Sequence, residues 1–293
     1  MTDPAPRPRV VVVDGVPMSG RLAAVADPHA VIVAVHGGAT SSAYFDCPGH
    51  PDLSLLRAAT DRGFTAIALD RPGYGASAVY AAEFADPARR VDAAFGAVDA
   101  ILGAGGRGAG LFLVGHSAGC ELALRMATAG REVIGVELAG TGLRYSEGAK
   151  SIISEATITS RPAGLRDLLW QPTELYPDDV LTGALSAPGV AYESEVTANW
   201  ARRDFPAIAA DVCVPVQFSV ADHESVWESG TEALASITGL FTRSPNVRLN
   251  PMADSGHNLS VGKTAGDYHA KVLSFIEECI AASGRDRDEE EAS

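Results

Sequence analysis

The stretch Leu111-Phe112-Leu113-Val114-Gly115-His116-Ser117-Ala118-Gly119-Cys120-Glu121-Leu122-Ala123-Leu124-Arg125-Met126 decides how this chain is read. Residues 111–114 are a short apolar run of the kind that forms a buried strand. Leu122, Leu124 and Met126 belong to an amphipathic run that reads as a helix. Between them, residues 115–119 have the form G-x-S-x-G, in the strand-to-helix context that this pattern requires. So sharp a reversal strains the backbone at Ser117, and Gly115 and Gly119 remove side chains that would collide with the adjoining strand and helix. The hydroxyl of Ser117 is thereby raised above the strand end, at a helix N-terminus where developing negative charge is favoured. The alternative is a glycine-rich turn in which Ser117 only caps the helix.

Working outward, residues 30–35 and 64–70 are continuous apolar runs expected as strands covered on both faces. Helices are expected over 53–62 and 86–102, and a further strand over 132–138. Strand and helix thus alternate from 30 to 138, which predicts a parallel, doubly wound sheet with right-handed crossovers. Ahead of them, residues 9–13 and 16–25 flank Asp14-Gly15, a hairpin signal. Residues 143–210 break the alternation. They carry apolar residues at roughly helical spacing, punctuated by prolines at 162, 172, 177, 188 and 206, and are expected to form a helical cap inserted into the core. The rhythm resumes with strands at 214–220 and 246–251 and helices at 227–242 and 263–282. The expected division is a core of 1–142 and 211–283, a cap of 143–210 and a disordered acidic tail of 284–293.

Composition narrows the function. The 293 residues are 46% hydrophobic and 20% charged, as in an ordinary globular protein. A net charge of −14 argues against nucleic-acid or anionic-membrane surfaces, which need clustered Lys and Arg. The four cysteines are scattered without a C-x-x-C pair, which favours free thiols, a reducing cytoplasmic setting and no zinc site. No signal peptide and no apolar span are expected. A small-molecule substrate, with neither metal nor cofactor, is the expected partner, and a homodimer stays open.

In open parallel sheets, ligands gather at the carboxyl ends of the strands. His36-Gly37-Gly38, Asp70-Arg71 and Ser117 all fall there. A serine hydroxyl needs a base, and the base needs an orienting group. His257, in the loop after the last strand, is the candidate base. Asp222 and Glu224, after the strand ending at Val220, are both candidate acids. Oxyanion donors are expected from the N–H of Ala118 and of Gly38, with Ala39 adjoining. Trp170, Tyr176, Tyr192 and Trp200 either line an apolar pocket or pack the insertion onto the sheet. Arg71 either meets a substrate carboxylate or braces its loop, and His116 is expected to point away from the nucleophile.

Together these motifs resemble the α/β-hydrolase superfamily over about residues 16–282: His36-Gly37-Gly38, the run from Asp70 to Ser77, the elbow at 115–119, the Pro215 strand with its acidic loop, and Ser255-Gly256-His257. The resemblance implies the α/β-hydrolase fold and a serine hydrolase acting through Ser117, Glu224 and His257. In the family the acid closes a Gly-x-x-Asp turn. Ala221 stands in the glycine place and Glu224 in the aspartate place, two departures that leave Asp222 as rival. Glu137 is a third carboxylate, at a strand end where some relatives keep their acid. A serine nucleophile is incompatible with members that require aspartate there. Ester, thioester, amide, lactone and C–C bond hydrolysis remain, as do acyl transfer, elimination, or service as a small-molecule receptor.

Overall fold

A computed structural model describes residues 5–155, 162–183 and 185–291, with side chains as far as 283. Eight strands form one sheet: β1 (Arg7–Val13), β2 (Val16–Ala23), β3 (Val31–Val35), β4 (Thr65–Leu69), β5 (Leu111–His116), β6 (Val133–Ala139), β7 (Val216–His223) and β8 (Val247–Gly256). Their order is β1-β2-β4-β3-β5-β6-β7-β8. β1 pairs antiparallel with β2, and β2 antiparallel with β4, while every later pairing is parallel. Asp14 and Gly15 turn the opening hairpin with φ of 48° and 84°, the left-handed geometry that a two-residue connection demands.

Side-chain alternation explains why both faces of this sheet are covered. Val31, Val33, Val35, Leu111 and Leu113 join one core cluster, with Ala94 and Val98 of α2 (Pro87–Leu102) and Leu122 and Met126 of α3 (Gly119–Thr128). Their neighbours Ile32, Ala34, Phe112 and Val114 join the other cluster. That cluster is closed by Leu55, Leu56 and Ala59 of α1 (Leu55–Asp61) and by Val272, Phe275 and Ile276 of the C-terminal helix. Continuous apolar runs with no polar face are what such a two-sided sheet needs.

Between β6 and β7 lie α4 (Glu147–Glu155), α5 (Leu165–Trp170), α6 (Glu193–Asn199) and α7 (Phe205–Ala209). This inserted segment bonds to loops at the carboxyl ends of the strands: Ala187 N–H donates to Ala39 O (2.9 Å), Tyr192 Oη to Pro72 O (2.7 Å), and Trp200 Nε1 to Thr141 Oγ1 (2.8 Å).

Several boundaries differ from the sequence expectation. The helix expected from 227 is shorter, α8 (Thr231–Thr238), because Trp227 is held by its indole N–H on Gly140 O (3.0 Å) and stacks on Tyr145. β8 continues past Pro251 to Gly256, which an edge strand tolerates because one side of its backbone has no partner to satisfy. The last helix, α9 (Ala265–Glu291), runs on in its backbone through 284–291, where a disordered tail is expected. Among the described residues no helix is long and apolar enough to cross a membrane.

Candidate active site

The turn after β5 has the strain its sequence calls for. Ser117 has φ of 51°, and its N–H donates to Ala139 O on β6 (2.8 Å). A Cβ on Gly119 would lie 2.3 Å from Val35 O and 2.6 Å from His36 O. One on Gly115 would lie 2.9 Å from Cys120 Cα. Both glycines are therefore required by contact with the neighbouring strand loop and helix. At Gly37 the fit is tight rather than closed, since a Cβ there would meet Ser117 Cβ at 3.1 Å.

The structure brings Ser117, His257 and Glu224 into one hydrogen-bonded line. His257 Nε2 is 3.3 Å from Ser117 Oγ, and His257 Nδ1 is 2.9 and 3.1 Å from the two oxygens of Glu224. A carboxylate can only accept, so Nδ1 carries the proton and Nε2 offers its lone pair to the hydroxyl. The side chains of His257 and Glu224 are 2% and 6% exposed. Burial alone would raise the pKa of Glu224. Electrostatic attraction to the His257 imidazole and its hydrogen bond, with the N–H groups of Val226 (2.8 Å) and Trp227, outweigh that and carry it below the ordinary carboxylate range.

Asp222 stands elsewhere. Its carboxylate accepts the N–H groups of Asp254 and Ser255, each at 2.9 Å, and so fastens the end of β8. The register of β7 against β8 shifts between Ala221 and His223, and this irregularity separates the two carboxylates. Glu137 lies within the sheet, where Tyr268 Oη donates to it (3.2 Å).

The N–H groups of Gly38 and Ala118 carry no hydrogen bond among the described residues, whereas that of Ala39 donates to Tyr74 Oη (3.0 Å). Of the two expected donors in this loop, Gly38 and Ala39, it is thus Gly38 whose N–H stays unpaired. His116 points away from Ser117: it stacks on Tyr44, and its Nε2 donates to His257 O (2.9 Å). Burial, then the neighbouring His257, pushes its pKa down to about 3, so it stays neutral. Tyr192 and Trp200 are committed to packing. Arg90 lies over the ring of the first, and the second stacks on Phe205. Trp170 is half-buried, edge-on to Tyr176, whose hydroxyl accepts the N–H of Asn258 beside the imidazole (3.2 Å). A cavity of about 710 Å³ opens at the other end of the sheet, among Phe95, Arg107, Arg131 and the starts of β5 and β6. It holds no part of this constellation.

Two groups escaped the sequence reading. Gly140, with φ of 67°, lets the backbone come close to the imidazole, since a Cβ there would lie 3.0 Å from His257 Cε1. A glycine directly after the β6 run was the available signal. Glu193, at the start of α6, forms an ion pair with Arg71 NH2, which also donates to Gly37 O (3.0 Å). Burial works against the Arg71 charge, but the adjoining Glu193 raises its pKa overall. No spacing in the sequence links residues 122 positions apart.

Residues 32–261 match the model of the alpha/beta hydrolase family. Among solved structures, an N-acyl homoserine lactonase AidH mutant complexed with N-hexanoyl homoserine is 17% identical, with a TM-score of 0.70 over 94% of this chain and 98% of that one. A highly thermostable carboxyl esterase from Bacillus coagulans is 15% identical, with a TM-score of 0.68 over 94% and 99%. The thioesterase domain from the curacin biosynthetic pathway is 17% identical, with a TM-score of 0.61 over 93% and 99%. A search of the curated proteins finds no match. The family match spans most of the chain and includes Ser117, Glu224 and His257: the chain belongs to the alpha/beta hydrolase family.

Proposed function

We propose that this protein is a serine hydrolase that cleaves an ester or related acyl bond of a small apolar molecule through an acyl-enzyme. The observation that carries this reading is the line from Ser117 Oγ through His257 to Glu224, set on a strained turn. Ser117 Oγ attacks the acyl carbon while His257 Nε2 takes its proton. Glu224 holds the imidazole in the tautomer this needs and stabilises the imidazolium. The carbonyl oxygen becomes an oxyanion between the N–H groups of Gly38 and Ala118. Its collapse expels the leaving oxygen, which takes the proton from His257. Water then attacks the acyl-serine, gives a proton to His257, and frees the carboxylic acid as Oγ recovers its hydrogen. At 3.3 Å, Nε2 is within reach of the Oγ proton, a contact that tightens as the transition state forms.

A fluorophosphonate probe tests this reading. It is expected to label the protein stoichiometrically at Ser117, and Ser117→Ala is expected to abolish both labelling and ester hydrolysis. A folded wild-type protein that takes no label contradicts it.

A further inference from the structure

The ion pair between Glu193 and Arg71 is beside the two free N–H groups, and nothing in the proposed chemistry uses it. Three contacts fix the pair. Arg71 NH2 donates to Gly37 O at 3.0 Å, and the backbone N–H of Arg71 donates to His36 Nε2 at 3.1 Å. On the other side of the pair, the N–H of Val190 donates to Glu193 Oε2 at 3.5 Å. A Cβ built on Gly38 would lie 3.6 and 3.8 Å from the Glu193 oxygens and 3.9 Å from Ala118 Cβ. The Arg71 side chain is 3% exposed and that of Glu193 15%, so the carboxylate is the member nearer solvent.

Each charge alone would dominate this corner. A lone carboxylate so near Gly38 would oppose an oxyanion forming there, and a lone guanidinium would attract any anion that enters. Paired, they cancel. A carboxylate carried by a substrate would be stripped of water against this wall with no counter-charge to meet it, which is costly. An uncharged acyl group meets no such penalty.

We infer that Glu193, by cancelling Arg71 beside Gly38 and Ala118, is a specificity-determining residue that restricts the site to uncharged acyl groups. The inference rests on the reading of Ser117 as nucleophile and deepens it. Removing the Glu193 charge leaves Arg71 as a fixed cation and reverses the selection, whereas removing the Arg71 charge strengthens it.

The test compares rates of Ser117 phosphonylation by two alkyl fluorophosphonates of equal chain length, one ending in a methyl group and the other in a carboxylate. Sites and rates are read by mass spectrometry on the full chain. Wild type is expected to react faster with the methyl-ended probe. In Glu193→Gln the ratio of carboxylate-ended to methyl-ended rates is expected to rise at least tenfold, and in Glu193→Asp to stay within threefold of wild type. Arg71→Met is expected to lower the ratio at least tenfold, so either charge-removing variant supplies the sign if the other does not fold. Labelling of Ser117 with a smaller shift in the folded variant overturns this inference alone, as does an Asp variant that moves as far as the Gln variant. Wild type that takes neither probe overturns the nucleophile reading, and the inference with it.

Discussion

Two carboxylates two positions apart meet different fates at the end of β7. Glu224 is buried against His257 Nδ1 with its pKa held below the ordinary range, so it is ionised throughout neutral pH. Asp222 spends both oxygens on backbone N–H groups of β8. If Glu224 is the orienting acid, Glu224→Gln removes the charge that stabilises the imidazolium. It is then expected to cost about 10²–10⁴ in kcat, by analogy with amide replacement of a triad acid. Asp222→Asn is expected to change kcat by less than about tenfold, since its effect passes through loop position alone. Steady-state kinetics on both variants decide the matter, and the reverse ranking would transfer the role to Asp222. The residues themselves made Ser117 and His257 legible as candidates. The choice of acid was not legible from composition or spacing, because a register shift between Ala221 and His223 decides which side chain faces the imidazole.

Among elements, the strand–turn–helix of β5 and α3 is the part most fully written in local residue types. An apolar run, two glycines and an amphipathic run lead to the observed turn, and the required absences of side chains are visible in the contacts of Gly115 and Gly119. Gly119→Ala pushes a methyl group into Val35 O, so a loss of about 1–3 kcal/mol is expected, the range for forced overpacking. A denaturant-unfolding midpoint unchanged from wild type would show that the loop after β3 yields freely. The inserted segment was legible only as short helices between prolines. Its attachments, Glu193 to Arg71, Tyr192 to Pro72 and Trp200 to Thr141, join residues far apart in sequence, and no periodicity within either partner encodes them. The ends of β8 and α8 were likewise set by tertiary contacts of Pro251 and Trp227 rather than by propensity.

At the scale of the whole molecule, the sheet buries an ionisable group that affects stability everywhere the sheet holds together. Glu137 is fully buried opposite Gln217 of β7 and takes a hydrogen bond from Tyr268. Burial raises its pKa from 4.5 to about 8, against the smaller pull of Ser219, Gln217 and Tyr268. The folded chain thus keeps a proton that the unfolded chain releases, so stability contributed by this group is present in full below about pH 4.5 and is lost as pH rises toward about 8. Glu137→Gln removes the titration. Its unfolding free energy is expected to gain steadily on that of wild type between pH 5 and pH 8, at up to about 1.4 kcal/mol per pH unit, and its melting temperature to rise with it. Parallel melting curves across that range would show that Glu137 is already charged in the fold. The same burial explains why a strand-end carboxylate, indistinguishable in sequence from a functional one, serves the core here.

The proposed acyl-enzyme requires a covalent bond between the acyl group and Ser117 in the course of turnover. Rapid-quench mass spectrometry with an activated ester measures it directly. The expected result is a burst of leaving group matched in amount by an acyl adduct on the peptide containing Ser117, absent in Ser117→Ala and decaying as the acid is released. Turnover that leaves this peptide unmodified at every time point and persists in Ser117→Ala would contradict it.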